Sequence, residues 1–446
     1  MSHTTLILHA TIVNEGKQFV GNMLVEGDKI SKFVEDAEVA TIAADETIDA
    51  TGLYLLPGLI DCHVHFREPG LTHKADILHE SRAAAAGGVT TVFDMPNTVP
   101  QTTTLDAYAE KMDLFAAQCC VNYGVFFGAT NDNIDVLRQL DATKVCGIKL
   151  FMGSSTGNML VDQEEALRKL FQSARLPIMT HCEDTNTINA NMAAAKAAHG
   201  DDPAVELHPE IRSAEACYLS TKLAVDLARE YGAQLHVAHL TTADELQLFD
   251  ADSANITAEV CVPHLVFTDA DYATLGARIK CNPAVKGEHH RAALRAALAD
   301  GRIFTIGTDH APHLITEKQG GAAKAVSGMP MVQFLLVSLL QLVNEGVLTL
   351  ERLVALACHH PAQRFSIAER GYLRRGYKAD FVMVRPDAQW TLSAADVESK
   401  CKWSPLEGRT FDWKVVSTYC NGKAVYKDGV IVSDAPMGEA VSFERA

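Results

Sequence analysis

No apolar run in this 446-residue sequence approaches the ~18 residues that cross a bilayer, so no transmembrane helix is expected. The opening residues, MSHTTLILHATIVNEG, lack a basic stretch and read directly as strand, so they are not expected to be a signal peptide. No GxGxxG follows any strand-like segment, which removes the signature of a dinucleotide-binding sheet. Positive charge is in deficit: 39 Lys and Arg face 56 Asp and Glu, a formal net charge of −17. An acidic surface argues against nucleic acid or an anionic membrane as partner. It leaves room for a small anionic substrate held in a local cationic pocket. The 11 cysteines form no paired framework, and several lie inside apolar runs such as AQCCVNYG and KVCGIKLF. They read as buried thiols of a reducing compartment, and the cytoplasm is the expected location.

What is present has the balance of a globular protein, 48% hydrophobic and 21% charged, on a chain too long for one ordinary core. Both ends are strand-rich. TTLILHATIVNEG and FVGNMLVEGDKISKFV alternate apolar and polar residues near the start, and GYKADFVMVRP and WKVVSTYCNGKAVYKDGVIV do so near the end. NGK and KDG are hairpin-type turns. Residues 1–54 and 376–446 are therefore expected to pair into one small β-sandwich built from two separated segments. Residues 55–375 repeat strand, loop and helix. Eight strand candidates can be counted: LIDCHVHF, TTVFDMP, NYGVFFGA, GIKLFM, PIMTHCE, QLHVAHL, ITAEVC and RIFTIGTDHA. DQEEALRKLFQSA opens with Asp162 and has Glu165 three residues later, the pattern of a capping box. Eight such units predict a (β/α)8 barrel, with a doubly wound open sheet as the alternative.

Polar residues end these strands at telling places: His63 and His65, Lys149, His181, His239 and Asp309. Barrel enzymes build their sites at the carboxyl ends of the strands, and a buried ionisable residue is costly unless paired or bound to metal. His63 and His65, two apart on a strand, project to one face and offer a chelate for a first-row metal such as zinc. Arg67 faces the same mouth if the extended backbone continues, and a guanidinium there suits a carboxylate. His236, three residues before His239, is expected on the opposite face, packed or hydrogen-bonded. His289, His290, His359 and His360 read as surface residues, and Cys182 and Cys261 as core thiols.

Together DCHVHFREPG, the GIKLFM lysine, HCE, VAHL and GTDHAPH resemble the amidohydrolase superfamily of metal-dependent hydrolases, and within it the dihydroorotases. The likeness runs over essentially the whole chain. It implies two zinc ions per subunit bridged by hydroxide, one held by His63, His65 and Asp309, the other by His181 and His239. Lys149 would bridge them as a carbamate, since an ammonium has no lone pair to ligate; a lysine paired with a carboxylate is the alternative. Asp309 would act as general base and then acid in the reversible hydrolysis of dihydroorotate to N-carbamoyl-L-aspartate. Arg67, Asn97 and His313 match carboxylate contacts, and Asn282, Ser327 and Gly328 match contacts to the ring. Ser155 and Thr156, in GSSTGN, match a loop that covers substrate. Allantoinase, dihydropyrimidinase or hydantoinase, and a non-catalytic scaffold are the competing readings. A small-molecule substrate and a homodimer are the expected partners.

Overall fold

The structure, a computed structural model, describes residues 2–153, 159–432 and 435–445. Tight turns organise both ends of the chain. Asn421 and Gly422 hold φ of +51° and +74°, and Asp428 and Gly429 hold +51° and +89°. Two successive positive φ values make the two-residue turn whose twist matches a hairpin, and Asn and Asp tolerate that region. These turns join Lys414–Cys420 to Lys423–Lys427, and that strand to Val430–Ile431.

The hairpins belong to a nine-stranded sheet that also takes in Thr4–Asn14, Lys17–Glu26, Lys29–Val34, Glu46–Asp49, Tyr54–Pro57 and Phe381–Arg385. The two ends of the chain meet where Tyr54–Pro57 runs antiparallel to Phe381–Arg385, with Leu56 opposite Val382. Period-two alternation gives this sheet two apolar faces. Ile12, Met23, Leu55, Phe381 and Met383 bury into the sheet's own core, while Leu56, Val382 and Val384 pack on the barrel.

The eight barrel strands are Leu59–Val64, Val89–Asp94, Asn122–Val125 continued by Phe127–Gly128, Ile148–Phe151, Ile178–His181, Leu235–Val237, Ile256–Cys261 and Thr305–Gly307. All pair in parallel with their neighbours. The ring closes between the eighth and first strands: Val64 bridges to His310, and the His65 N–H donates to the His310 carbonyl at 2.7 Å. Asp61, fully buried, accepts from the Thr308 N–H at 3.2 Å across the same seam. The architecture is thus the expected (β/α)8 barrel with a sheet-rich terminal part.

The helix after the fourth strand starts later than its capping pattern predicts. It spans Glu164–Ser173 with Gln163 at the N-cap and no side-chain cap. Asp162 is taken instead by Asn131, whose amide donates to it at 3.2 Å. Where an Asp or Ser does cap, as Asp76 and Ser213 do, the side chain accepts from the backbone N–H three residues on. Among the described residues no helix is long and apolar enough to cross a membrane.

Candidate active site

The carboxyl ends of the barrel strands surround a cavity of about 280 Å³, and every candidate site residue within the described chain lines it. His63 ends the first strand and His65 lies just past it, their ring centroids 5.6 Å apart. Asp309 Oδ1 stands 3.0 Å from His65 Nε2 and 3.3 Å from His63 Nε2. Beside them, with the His239 ring 5.4 Å from that of His63, His181 Nδ1 lies 2.8 Å from His239 Nε2. Burial drives His65 to about 4, against the pull of Asp309, and lowers His181 and His239 as well. Burial thus favours the neutral form of these three imidazoles, the form that keeps a lone pair for a ligand. Burial works against the Asp309 carboxylate, but His63 and His65 outweigh it and hold the group ionised.

Three of the four rings are aimed by a partner on the far nitrogen, while His239 Nδ1 is buried without one. His63 Nδ1 donates to Glu259 at 2.8 Å, His65 Nδ1 to Asn97 Oδ1 at 2.8 Å, and His181 Nε2 to Glu183 at 2.9 Å. Glu183 is in turn paired with Arg212. A metal-binding histidine characteristically donates its other N–H in this way, which fixes the tautomer and leaves the inner nitrogen free to ligate. His63, His65 and Asp309 converge closely enough to share one ion. Lys149 Nζ is buried without a hydrogen-bond partner, and burial lowers its pKa despite Glu259 and Asp309 nearby. Imidazoles, a carboxylate and a buried amine pushed toward its uncharged form together form a donor set that fits a metal centre. Glu259 and Cys261 can also be grouped with His63. Neither lines the cavity, and Cys261 donates to Glu259 at 3.3 Å, so both lie behind the site.

Part of the cavity wall is cationic, lined by Arg67 and Lys74. Arg67 does not continue the strand: the extended run stops at Val64, and Arg67 takes a φ of +68°. Its side chain reaches the cavity nonetheless, because Nε donates to the Pro312 carbonyl at 3.2 Å and Nη2 lies 3.0 Å from His313 Nε2. Asn97 is on the same wall and serves twice, lining the cavity while accepting from His65.

Asn282, Ser327 and Gly328 form the remaining edge. Gly328 has a φ of +126°, and a Cβ there would lie 2.6 Å from the Ala311 carbonyl oxygen, so only glycine fits. Ser155 and Thr156 lie outside the described residues.

Several histidines differ from expectation. His236 is packed and bonded as predicted, between Thr257 at 2.8 Å and Thr305 at 3.0 Å. His289 is exposed, but His290 and His359 are buried and His360 half-buried. His290 accepts from the Ala243 N–H, His359 accepts from the Glu15 N–H, and His360 donates to the Phe304 carbonyl. Their helices pack these faces inward, a fact carried by tertiary contacts and not by spacing. Sequence reasoning also passed over Lys74, Glu259, Glu183 and Lys318. Glu259 had a signal, a carboxylate within the apolar strand ITAEVC; Lys74, in a turn, and Lys318, ending the short 3-10 helix Ile315–Lys318, had none.

Residues 54–425 match the amidohydrolase family. The chain belongs to the amidohydrolase family. This amidohydrolase is 34% identical to a dihydroorotase of Halobacterium salinarum over 431 residues, 96% of this chain and 97% of that protein. It is 29% identical to an allantoinase of Bacillus velezensis, over 89% of this chain and 90% of that one. Its fold matches an L-hydantoinase (dihydropyrimidinase) from Arthrobacter aurescens with a TM-score of 0.94, at 27% identity, across 99% of this chain and 100% of that one. The family and these relatives make the chain a metal-dependent cyclic amidohydrolase.

Proposed function

We propose that this cyclic amidohydrolase is a dihydroorotase, which hydrolyses (S)-dihydroorotate reversibly to N-carbamoyl-L-aspartate in pyrimidine biosynthesis. The observation that carries the proposal is that Arg67 and His313 line the same cavity as the histidine–aspartate cluster. A buried guanidinium in a cavity of this size suits a ring that carries a carboxylate. Dihydroorotate has one, whereas hydantoins, dihydropyrimidines and allantoin do not. The dihydroorotase relatives support the same substrate.

The donor set suits two zinc ions, one held by His63, His65 and Asp309 and the other by His181 and His239, with Lys149 shared. Bound there, the ions would supply Lewis acidity and lower the pKa of water. Lys149 would offer an anionic ligand as a carbamate, formed when its unprotonated amine attacks CO2, makes the N–C bond and releases a proton. The lowered pKa of the buried amine favours that attack. Arg67, Asn97 and His313 hold the substrate carboxylate and so orient the ring amide toward Asp309. Asn282, Ser327 and Gly328 confine the ring. The ionised Asp309 takes the proton of the attacking water and returns it to the leaving ring nitrogen.

The allantoinase relative and the hydantoinase-like fold make those substrates the second reading. A non-catalytic scaffold is disfavoured because every expected ligand residue is retained. We further propose a cytoplasmic homodimer, the location being supported by cysteines that are all unpaired; light scattering tests the assembly. The deciding experiment offers dihydroorotate, hydantoin and allantoin side by side to the metal-loaded enzyme. Turnover of hydantoin or allantoin without turnover of dihydroorotate overturns the assignment.

A further inference from the structure

His313 stands between two groups that can only donate. Arg67 Nη2 lies 3.0 Å from its Nε2, and Lys74 Nζ lies 3.1 Å from its Nδ1. A neutral imidazole has one accepting nitrogen and one N–H, so it can satisfy only one of them. An imidazolium would satisfy neither, and burial together with Arg67, Lys74 and Lys318 opposes its formation. One contact must therefore set N–H against N–H until something else accepts.

The surroundings decide which. Lys74 is anchored as an ammonium by Glu317 Oε1 at 2.7 Å, and it points at Nδ1 from the side away from Arg67. If Nδ1 accepts from Lys74, the proton sits on Nε2, beside Arg67 Nη2. Two N–H donors then stand together on the cavity wall with no side-chain acceptor between them, the Ser327 backbone being a further hydrogen-bond partner of His313. A carboxylate supplies one. In the reverse tautomer His313 would occupy Arg67 itself and aim its proton at a cation, leaving no paired donor for a ligand.

We propose that Lys74 is a positioning residue: by donating to Nδ1 it fixes His313 as the Nε2–H tautomer and so pairs that N–H with Arg67 as a two-donor receptor for the substrate carboxylate. The inference rests on the reading of this cavity as a dihydroorotate site. Without Lys74, Glu317 Oε2, now 3.6 Å from Nδ1, becomes the natural acceptor for a proton there, and the tautomer reverses.

The test compares the full-length, metal-loaded enzyme with Lys74→Met and Lys74→Gln, the glutamine retaining an N–H donor. Nitrogen-15 NMR of labelled histidine reads the His313 tautomer, with the signal assigned by its loss in His313→Asn. The expected result is an unprotonated Nδ1 in the parent enzyme, a protonated Nδ1 in Lys74→Met and recovery in Lys74→Gln. KM for dihydroorotate should rise at least about tenfold in the methionine variant, with kcat changed much less, and recover with glutamine. A protonated Nδ1 in the parent enzyme, or a tautomer and KM unmoved by Lys74→Met, overturns the proposal. Absence of dihydroorotate turnover by the parent enzyme counts against the substrate assignment alone, because the NMR signal still decides what Lys74 does.

Discussion

Arg67, His239 and Asp309 hold φ values of +68°, +39° and +47°, a region that costs a residue with a side chain about 1–3 kcal/mol. All three line the cavity. The left-handed turn at each strand end swings a functional side chain inward where continued extension would carry it past. Asp309→Asn keeps the shape and removes the proton carrier. Turnover should drop at least about 100-fold in a folded, metal-loaded protein, and near-normal kcat would remove Asp309 from the proton transfer. Arg67→Met removes the guanidinium from the proposed carboxylate site, a loss of about 1.5–3 kcal/mol. The kcat/KM for dihydroorotate should fall accordingly while metal content, measured by atomic absorption, stays the same.

The loop from Ala325 to Gly328 owes its shape to a buried ammonium. Lys318 Nζ donates to the carbonyls of Lys280, Val326 and Gly328 at 3.0, 2.7 and 2.7 Å, three donors matched to three acceptors. Gly328 in turn closes against Ala311 and His313. Lys318→Met strands the carbonyls of Val326 and Gly328, that of Lys280 keeping the Gly328 N–H at 2.9 Å, and should loosen this edge, raising KM while the barrel still folds. Hydrogen exchange at residues 325–328 measures the loosening, and unchanged protection there would show that the loop holds itself. Gly328→Ala should act more severely, since its Cβ has no room.

For the molecule as a whole, neutral buried histidines couple stability to pH. Burial, aided by Arg364 and opposed by Glu259, lowers His236 from 6.5 to about 3. Between those values the unfolded chain binds the proton that the folded chain refuses, so stability falls as pH drops from about 6.5 toward 3. Urea unfolding of His236→Gln across that range should show a flatter acid limb than the parent protein. The proposed metal ligands come from five of the barrel strands and the turns that follow them. Lys149→Ala should lose at least one ion and most activity, and a small carboxylic acid added in solution should restore part of it. Full metal content and activity in that variant would remove the carbamate from the proposed mechanism.

Periodicity was enough to place eight barrel strands and two hairpin turns, because these depend on spacing along single strands; the resemblance supplied the set of His63, His65, Lys149, His181, His239 and Asp309, which line one cavity. The NG and DG turns were legible for the same local reason. Which face of a helix is buried is not local, and His290 and His359 were misjudged on that account. The path of Arg67 was also decided elsewhere: its backbone leaves the strand, and the Pro312 carbonyl, 245 residues away, holds its side chain at the cavity. Glu259 behind His63, Lys74 beside His313 and Lys318 under the 325–328 loop are likewise brought to the site from distant segments. Sequence by itself determined which chemistry the barrel mouth can hold. Only the closed barrel decided how each group is aimed, because a hydrogen bond between distant segments exists only once folding has set its donor and acceptor about 3 Å apart.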